Sequence, residues 1–147
     1  MKRQLHEYIE NLLQQKLQLL EASFKEKREA LLSESKSTAG DKHETGRAMI
    51  QLEQEKLSSQ LMQLRKQMEV VNRINPDSTP KKAQLGSLVT TENGKFYLST
   101  GIGPLTLNGE NFFCIAPTSP IGQAMLGKVV GDKFSFNGKE QRITKLA

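Results

Sequence analysis

Two heptad-patterned segments of similar length, separated by a short polar run, constrain this chain more than any other feature. Leu13, Leu17, Leu20, Phe24 and Leu31 follow a four-three spacing, interrupted only where Lys27 or Arg28 takes the seam; Leu5, Ile9 and Leu12 extend the stripe with a small phase shift. A second stripe runs through Ile50, Leu57, Leu61, Leu64, Met68 and Val71, with Gln54 as a polar seam position. Apolar side chains at that interval line one side of an α-helix, so each segment is helical and needs a partner for its stripe. Between the stripes, Ser33, Ser35, Ser37, Thr38, Ala39 and Gly40 carry no such pattern, and serine and glycine weaken helix propensity. The spacing predicts an antiparallel coiled-coil hairpin over residues 1–75, with an acidic tip near 40–45 and arms of about 30 residues, or about 45 Å. A pair that long exceeds what a small core requires. The plainer alternative is an adaptor that uses the same stripes to dimerise.

Composition narrows the function classes. A hydrophobic share of 36% over 147 residues supports one compact domain, or a small domain with an extended element. The net charge of +5 is spread thinly over both halves, and no block of Lys and Arg interleaved with aromatics marks a nucleic-acid stripe. Cys114 sits in the apolar run Phe112 to Ala116, which predicts a buried, inert thiol. The N-terminus turns amphipathic at once, with no signal-peptide pattern, and no segment is apolar enough for a membrane span. These features predict a cytoplasmic protein with no membrane association.

Asp41 and Glu44 open the second helical segment. Asp-x-x-Glu at a helix start is a capping box, in which both side chains serve local backbone N–H groups. The same spacing lets both carboxylates lean one way, where the helix N-terminus favours negative charge. Two such groups on a thin rod can help hold Mg2+, which takes oxygen ligands and keeps waters, and can orient a water for attack on a phosphate. A metal site using His43 is disfavoured because neighbouring side chains on one turn diverge; His43 and His6 are expected in solvent. Met49, Met62 and Met68 read as seam filling or exposed positions.

Residues 76–82, with Pro76 and Pro80 among polar neighbours, read as a linker. From 83 to 147 the pattern becomes short strands, at Leu85–Thr91, Lys95–Thr100, Leu105–Leu107, Asn111–Ala116, Lys133–Phe136 and Gln141–Leu146. Asn93-Gly94, Asn108-Gly109 and Asn137-Gly138 supply turn signals. Together these predict a mostly antiparallel sheet and place the chain in the α+β class. One segment breaks the pattern: Thr118 or Ser119 as cap, Pro120 at the first helical position and Gly127 at the end predict one short helix. Ile121, Met125 and Leu126 suit contacts with the sheet, while an exposed Ser-Pro-Ile corner suits docking on another protein.

The rod with its acidic apex, the proline-marked linker, Ser119-Pro120-Ile121-Gly122-Gln123-Ala124-Met125-Leu126-Gly127-Lys128 and Gly131-Asp132 together resemble the bacterial GreA/GreB transcript-cleavage factors, over the whole chain. The resemblance implies an FKBP-like C-terminal domain whose Ser119, Pro120, Ile121 and Gly122 contact the rim of the secondary channel of RNA polymerase. It implies that the rod enters the channel and that Asp41 and Glu44 act as the catalytic pair. There they would help the polymerase hold a second Mg2+, transiently and with no cofactor of the chain's own, to hydrolyse the 3′ end of backtracked RNA. The chain is then a monomeric transcription elongation factor, an accessory factor and not an enzyme. Lys42, His43 and Arg47 make this tip more basic than the family's, and nearby cations compete with a divalent metal, so an inhibitor or modulator that occupies the channel without stimulating cleavage is the second expectation. A peptidyl-prolyl isomerase is a third, disfavoured because Phe96, Tyr97, Phe112, Phe113, Phe134 and Phe136 mostly suit the domain's own core.

Overall fold

The computed structural model describes residues 1–35 and 40–147, with the backbone alone at 34, 35 and 40–43. Two long helices, α1 (Lys2–Ser35) and α2 (Gly40–Asn72), open the chain. They are followed by β1 (Leu88–Thr91), β2 (Gly94–Leu98), β3 (Gly103–Leu107), β4 (Glu110–Ile115), the short α3 (Pro120–Met125), β5 (Lys133–Phe136) and β6 (Lys139–Leu146). The α+β class is as expected. The chain packs as two units, one of Glu10–Met68 and one joining Met1–Ile9 to Glu69–Ala147.

In the helical unit, Lys27 Nζ pairs with the Glu53 carboxylate at 2.6 Å and Arg65 with Glu21 at 3.7 Å. As the α1 position falls from 27 to 21 its partner on α2 rises from 53 to 65, so the helices run antiparallel. Leu13, Leu61 and Leu64 are buried between them, while Leu17, Leu20, Phe24, Leu31, Ile50, Gln54, Leu57 and Met68 are half-buried. A helix with one neighbour can cover only a narrow face, which explains the partial exposure along the predicted seam. Lys27 occupies the seam and is kept there by Glu53, whose hydrogen bond raises the ammonium pKa. Met49 and Met62 face solvent.

The second unit is built on a six-stranded sheet in the order β3-β4-β2-β1-β6-β5. Its neighbours are antiparallel except β2 and β4, which pair in parallel from Phe96↔Phe113 to Leu98↔Ile115. The sheet is therefore mixed, because the β3–β4 hairpin folds back to lay β4 beside β2 and leave β3 at the edge. The Asn108-Gly109 and Asn137-Gly138 loops have positive φ at both residues (52° and 77°, 53° and 75°), the conformation that tight hairpins favour and Asn-Gly tolerates. In the first hairpin the loop is instead Glu92-Asn93, and Gly94 opens β2 opposite Thr91.

One face of the sheet carries Val89, Phe96, Leu98, Phe134 and Ile143, which pack with Ala83 and Met125 into the core. On the other face Tyr97 meets the first turns of α1. His6 does not lie in solvent as expected. It is 3% exposed, with Nδ1 2.9 Å from the Tyr97 hydroxyl and the rings edge to face. Lys2, Leu5, His6 and Ile9 share one side of α1, and the Tyr97 hydroxyl supplies the polar partner that lets an imidazole be buried there. Lys2 donates to the Ser78 carbonyl at 2.7 Å; burial lowers its pKa, with Asp77 opposing that shift. Arg3 grips the Asp77 carboxylate through two nitrogens, so the 76–82 segment is tied to the first turn of α1.

Cys114 is buried under this face at 1% exposure, and loss of solvation pushes its thiol pKa up to about 12. The thiolate is the reactive form. A thiol reagent such as a dinitrobenzoate disulfide should leave Cys114 untouched at pH 8 in the native protein and label it fully after denaturation. Rapid native labelling would show that this face opens. Because unfolding lowers the thiol pKa toward its ordinary value of 9.0, ionisation favours the unfolded chain as pH rises above that value, and stability from this group falls between about pH 9 and 12. Among the described residues, no helix is long and apolar enough to cross a membrane.

Candidate functional site

The acidic pair lies on the first turns of α2, which begins at Gly40. Three residues apart on an α-helix, Asp41 and Glu44 share a side of it. Glu44 is exposed, as is Arg47 one turn further on. The side chains of Asp41, Lys42 and His43, and residues 36–39 of the expected turn, lie outside the described residues, so the capping and ligand readings of Asp41 both rest on its position. Within the helical unit, α2 extends from Gly40 to Met68, about 40 Å at 1.5 Å per residue. The antiparallel pairing of α1 and α2 sets the acids at one end of that length. No three His, Cys, Asp or Glu side chains gather into a metal-binding group among the described residues. Two carboxylates fill only part of the oxygen shell of Mg2+, so a metal held here would take its other ligands from a partner and water.

The segment from Ser119 to Asp132 is built by local hydrogen bonds. Ser119 is the cap of α3: its Oγ accepts from the Gly122 N–H at 3.1 Å and donates to the Ala116 carbonyl at 2.6 Å. Pro120 fills the first helical position, where its missing N–H costs nothing. Gly122 is buried so closely that a Cβ would stand 2.2 Å from the Ala116 oxygen and 2.9 Å from that of Pro117. Gly127, at φ +80°, ends the helix, and its N–H donates to the Ala83 carbonyl at 2.8 Å. Asp132 then accepts from the Val129 N–H at 2.9 Å and closes the turn around Gly131, at φ +94°.

Ser119 and Gly122 thus shape this corner from within, Ile121 is half-buried against the core, and Pro120 is exposed. Leu126 was expected to contact the sheet. It is 41% exposed because it follows the last helical turn, where the chain has already turned away from the core side that Met125 fills. Val129 and Val130 are exposed beside it in sequence. These three apolar residues are a part of the corner that sequence reasoning missed; the signal was an apolar pair placed inside a glycine-bounded turn. Phe96, Tyr97, Phe112 and Phe134 are buried in the unit's own packing, and Phe113 stacks on Phe96 at 5.4 Å between ring centres. Those four buried rings are taken up by the unit's own packing, while Phe113 is 39% exposed.

No protein-family model and no curated protein matches this sequence. Among solved structures, the chain is similar to a structure of the transcription factor Gfh1, at 20% identity and a TM-score of 0.36 over 93% of this chain and 92% of the other. It is similar also to the crystal structure of Thermus aquaticus Gfh1, at 21% identity and a TM-score of 0.34 over 92% of each chain.

Proposed function

We propose that this chain is a transcription factor that docks on RNA polymerase through the Pro120–Val130 corner and presents Asp41 and Glu44 in the secondary channel, where they stimulate the polymerase's cleavage of backtracked RNA. The observation that carries the proposal is the placement of the acid pair: two carboxylate residues share one side of a helix end, Glu44 is exposed, and a slender helix pair about 40 Å long lies behind them. A thin body with acids at its end fits a narrow cavity in a larger enzyme better than it fits a private active site. The polymerase supplies the nuclease. This chain supplies two groups that hold a second Mg2+ or orient its water, lowering the barrier by activating the nucleophile and stabilising the leaving oxygen.

The docking half has its own support, because Leu126, Val129 and Val130 expose apolar surface on the segment that carries the Ser-Pro-Ile motif. Apolar residues held on rigid turns are suitable anchors for a protein partner. Replacing Leu126 and Val130 together by Ser should weaken binding to purified bacterial core polymerase by about tenfold or more, consistent with the loss of about 1.4 kcal/mol or more of anchor burial. Their exposure leaves the fold intact, which circular dichroism would verify. Unchanged affinity would place the docking surface elsewhere.

A second reading has one observation behind it: exposed Arg47 sits three residues beyond Glu44, on the side of α2 that Glu44 faces. A guanidinium there competes with a divalent metal for the carboxylate. On this reading the chain occupies the channel and inhibits. The two readings part in one assay, since a factor of the first kind shortens backtracked RNA and one of the second kind protects it.

A further inference from the structure

We propose that two copies of this chain pair edge to edge through β5, antiparallel, with Lys133 of one copy opposite Ser135 of the other. The sheet ends in β3 on one side and β5 on the other, and the two edges differ in what their backbones offer. In each hairpin the residues flanking the Asn-Gly loop exchange backbone bonds, and bonded and non-bonded pairs then alternate along the strands. Phe136↔Lys139 and Phe134↔Gln141 are therefore bonded pairs, and Lys133 and Ser135 turn their N–H and C=O groups out of the sheet. The Asp132 carbonyl accepts from the Ile143 N–H at 2.9 Å, which continues the alternation. On β3 the outward positions are Pro104 and Thr106. Proline has no N–H, so that edge is blunted, whereas β5 keeps both outward donors. Lys133 and Ser135 are exposed, and among the described residues no strand pairs with the outer side of β5.

Charge along this edge selects a second copy. On the outward face of the hairpin, Arg142 stands beside Lys133 in one row and Glu140 beside Ser135 in the next. Within one copy the first row sets like charges opposite each other, and Lys133 reaches Glu140 only on the diagonal, at 4.0 Å. A two-fold axis at Phe134 aligns the basic row of each copy with the acidic row of the other. The order across the joined sheets is then Arg142, Lys133, Ser135, Glu140, so each lysine meets a small hydroxyl with a carboxylate one strand further on. The contact is made twice, as isologous pairing requires. Other registers are poorer. Lys133 opposite Lys133 is the repulsion by which an edge lysine keeps sheets apart, and Ser135 opposite Ser135 runs Lys133 past the strand end into the Asn137-Gly138 loop.

The core side agrees with this register. Phe134 faces Phe134 of the second copy as a non-bonded pair, the arrangement that brings side chains closest. Asp132 falls opposite Phe136, which is half-buried, and the turn carrying the exposed Val129 and Val130 comes to that end of the strand. Apolar surface left open in one copy is set beside apolar surface left open in the other. The strands are short and the contact is well below the standard interface size, so the pair is weak, with a Kd of about 0.1 mM.

Sedimentation equilibrium of the full chain should show monomer passing to dimer as the concentration rises to about 1 mM. S135P removes an outward donor and none of the bonds between β5 and β6, and should leave only monomer over the same range. Because a proline can disturb the strand itself, E140K is the second variant: it changes an exposed side chain and should weaken pairing by about tenfold. Register is read by cross-linking under oxidised glutathione. Opposite residues of a bonded pair have Cα atoms about 5.5 Å apart, within reach of a disulfide, so K133C mixed with S135C should cross-link at least about tenfold faster than either variant alone. Cys114 does not compete, since it is buried and its thiol pKa is pushed up to about 12. Wild type that stays monomeric up to about 1 mM would overturn the proposal. So would a dimer unaffected by both S135P and E140K, or K133C cross-linking to itself as readily as to S135C. No polymerase takes part, so the result is independent of the function proposed above.

Discussion

Gly122→Ala should destabilise the sheet-bearing unit and loosen α3, the opposite of what the substitution does in most helices. In an ordinary helix interior, alanine is favoured over glycine by about 1 kcal/mol because glycine loses more backbone entropy on folding. Here the added methyl would stand 2.2 Å from one carbonyl oxygen and 2.9 Å from another. Both obstacles are backbone, so no rotamer change relieves them. The loop at 116–117 or the whole helix must move, and overpacking of this kind costs about 1 to 3 kcal/mol. Moving α3 also shifts Met125, which is fully buried in the core, and the Ser119 cap that fixes where the helix begins. Thermal or urea unfolding would give the magnitude. An unchanged or raised midpoint would mean that the close approach at Gly122 does not hold α3 in place. The same variant should bind polymerase more weakly, since Pro120 and Leu126 ride on this helix.

The largest functional effect is expected from Asp41→Asn combined with Glu44→Gln. Both replacements keep an oxygen able to cap helix N–H groups, so α2 should start where it does now and stability should change little. What disappears is two negative charges. An amide oxygen is a poorer ligand for Mg2+ than a carboxylate and cannot act as a base toward a bound water. Stimulation of RNA cleavage in stalled complexes should fall by about 100-fold or more, on the scale of losing a positioned acid–base group, while affinity for polymerase stays near the wild-type value. Loss of binding along with cleavage would point instead to a structural role for the pair. The companion Arg47→Ala should increase stimulation if the guanidinium competes for Glu44, and should have no effect if it does not.

Much of this fold was legible because its periods are clean. The seam positions from Leu13 to Leu31 and from Ile50 to Val71 all have reduced exposure, since a four-three stripe has only one way to be covered by one partner helix. Ser119, Pro120 and Gly127 marked the ends of α3 because each supplies something only a helix end needs. Legibility stopped where burial depends on contacts distant in sequence. Nothing near His6 announces Tyr97, which lies 91 residues away, and a histidine among Leu, Glu and Tyr reads as solvated until that hydroxyl is in view. The parallel β2–β4 pairing was hidden for a similar reason: local turn chemistry specifies hairpins, and this contact skips a hairpin. Leu126 misled because helical periodicity was extended one residue past the point where the chain turns. The Lys133–Arg142 pair across β5 and β6 is invisible in sequence, since the two cations come together only through strand register.

The acids at the end of the helix pair are proposed to help RNA polymerase hold a second metal ion. A titration of Mg2+ in backtracked complexes measures this directly, following RNA shortening with and without the protein. The wild type should move the half-maximal Mg2+ concentration for cleavage downward, and the Asp41→Asn, Glu44→Gln variant should leave it where polymerase alone has it. An identical Mg2+ midpoint for polymerase alone and with the wild-type chain would rule out this role for the acids.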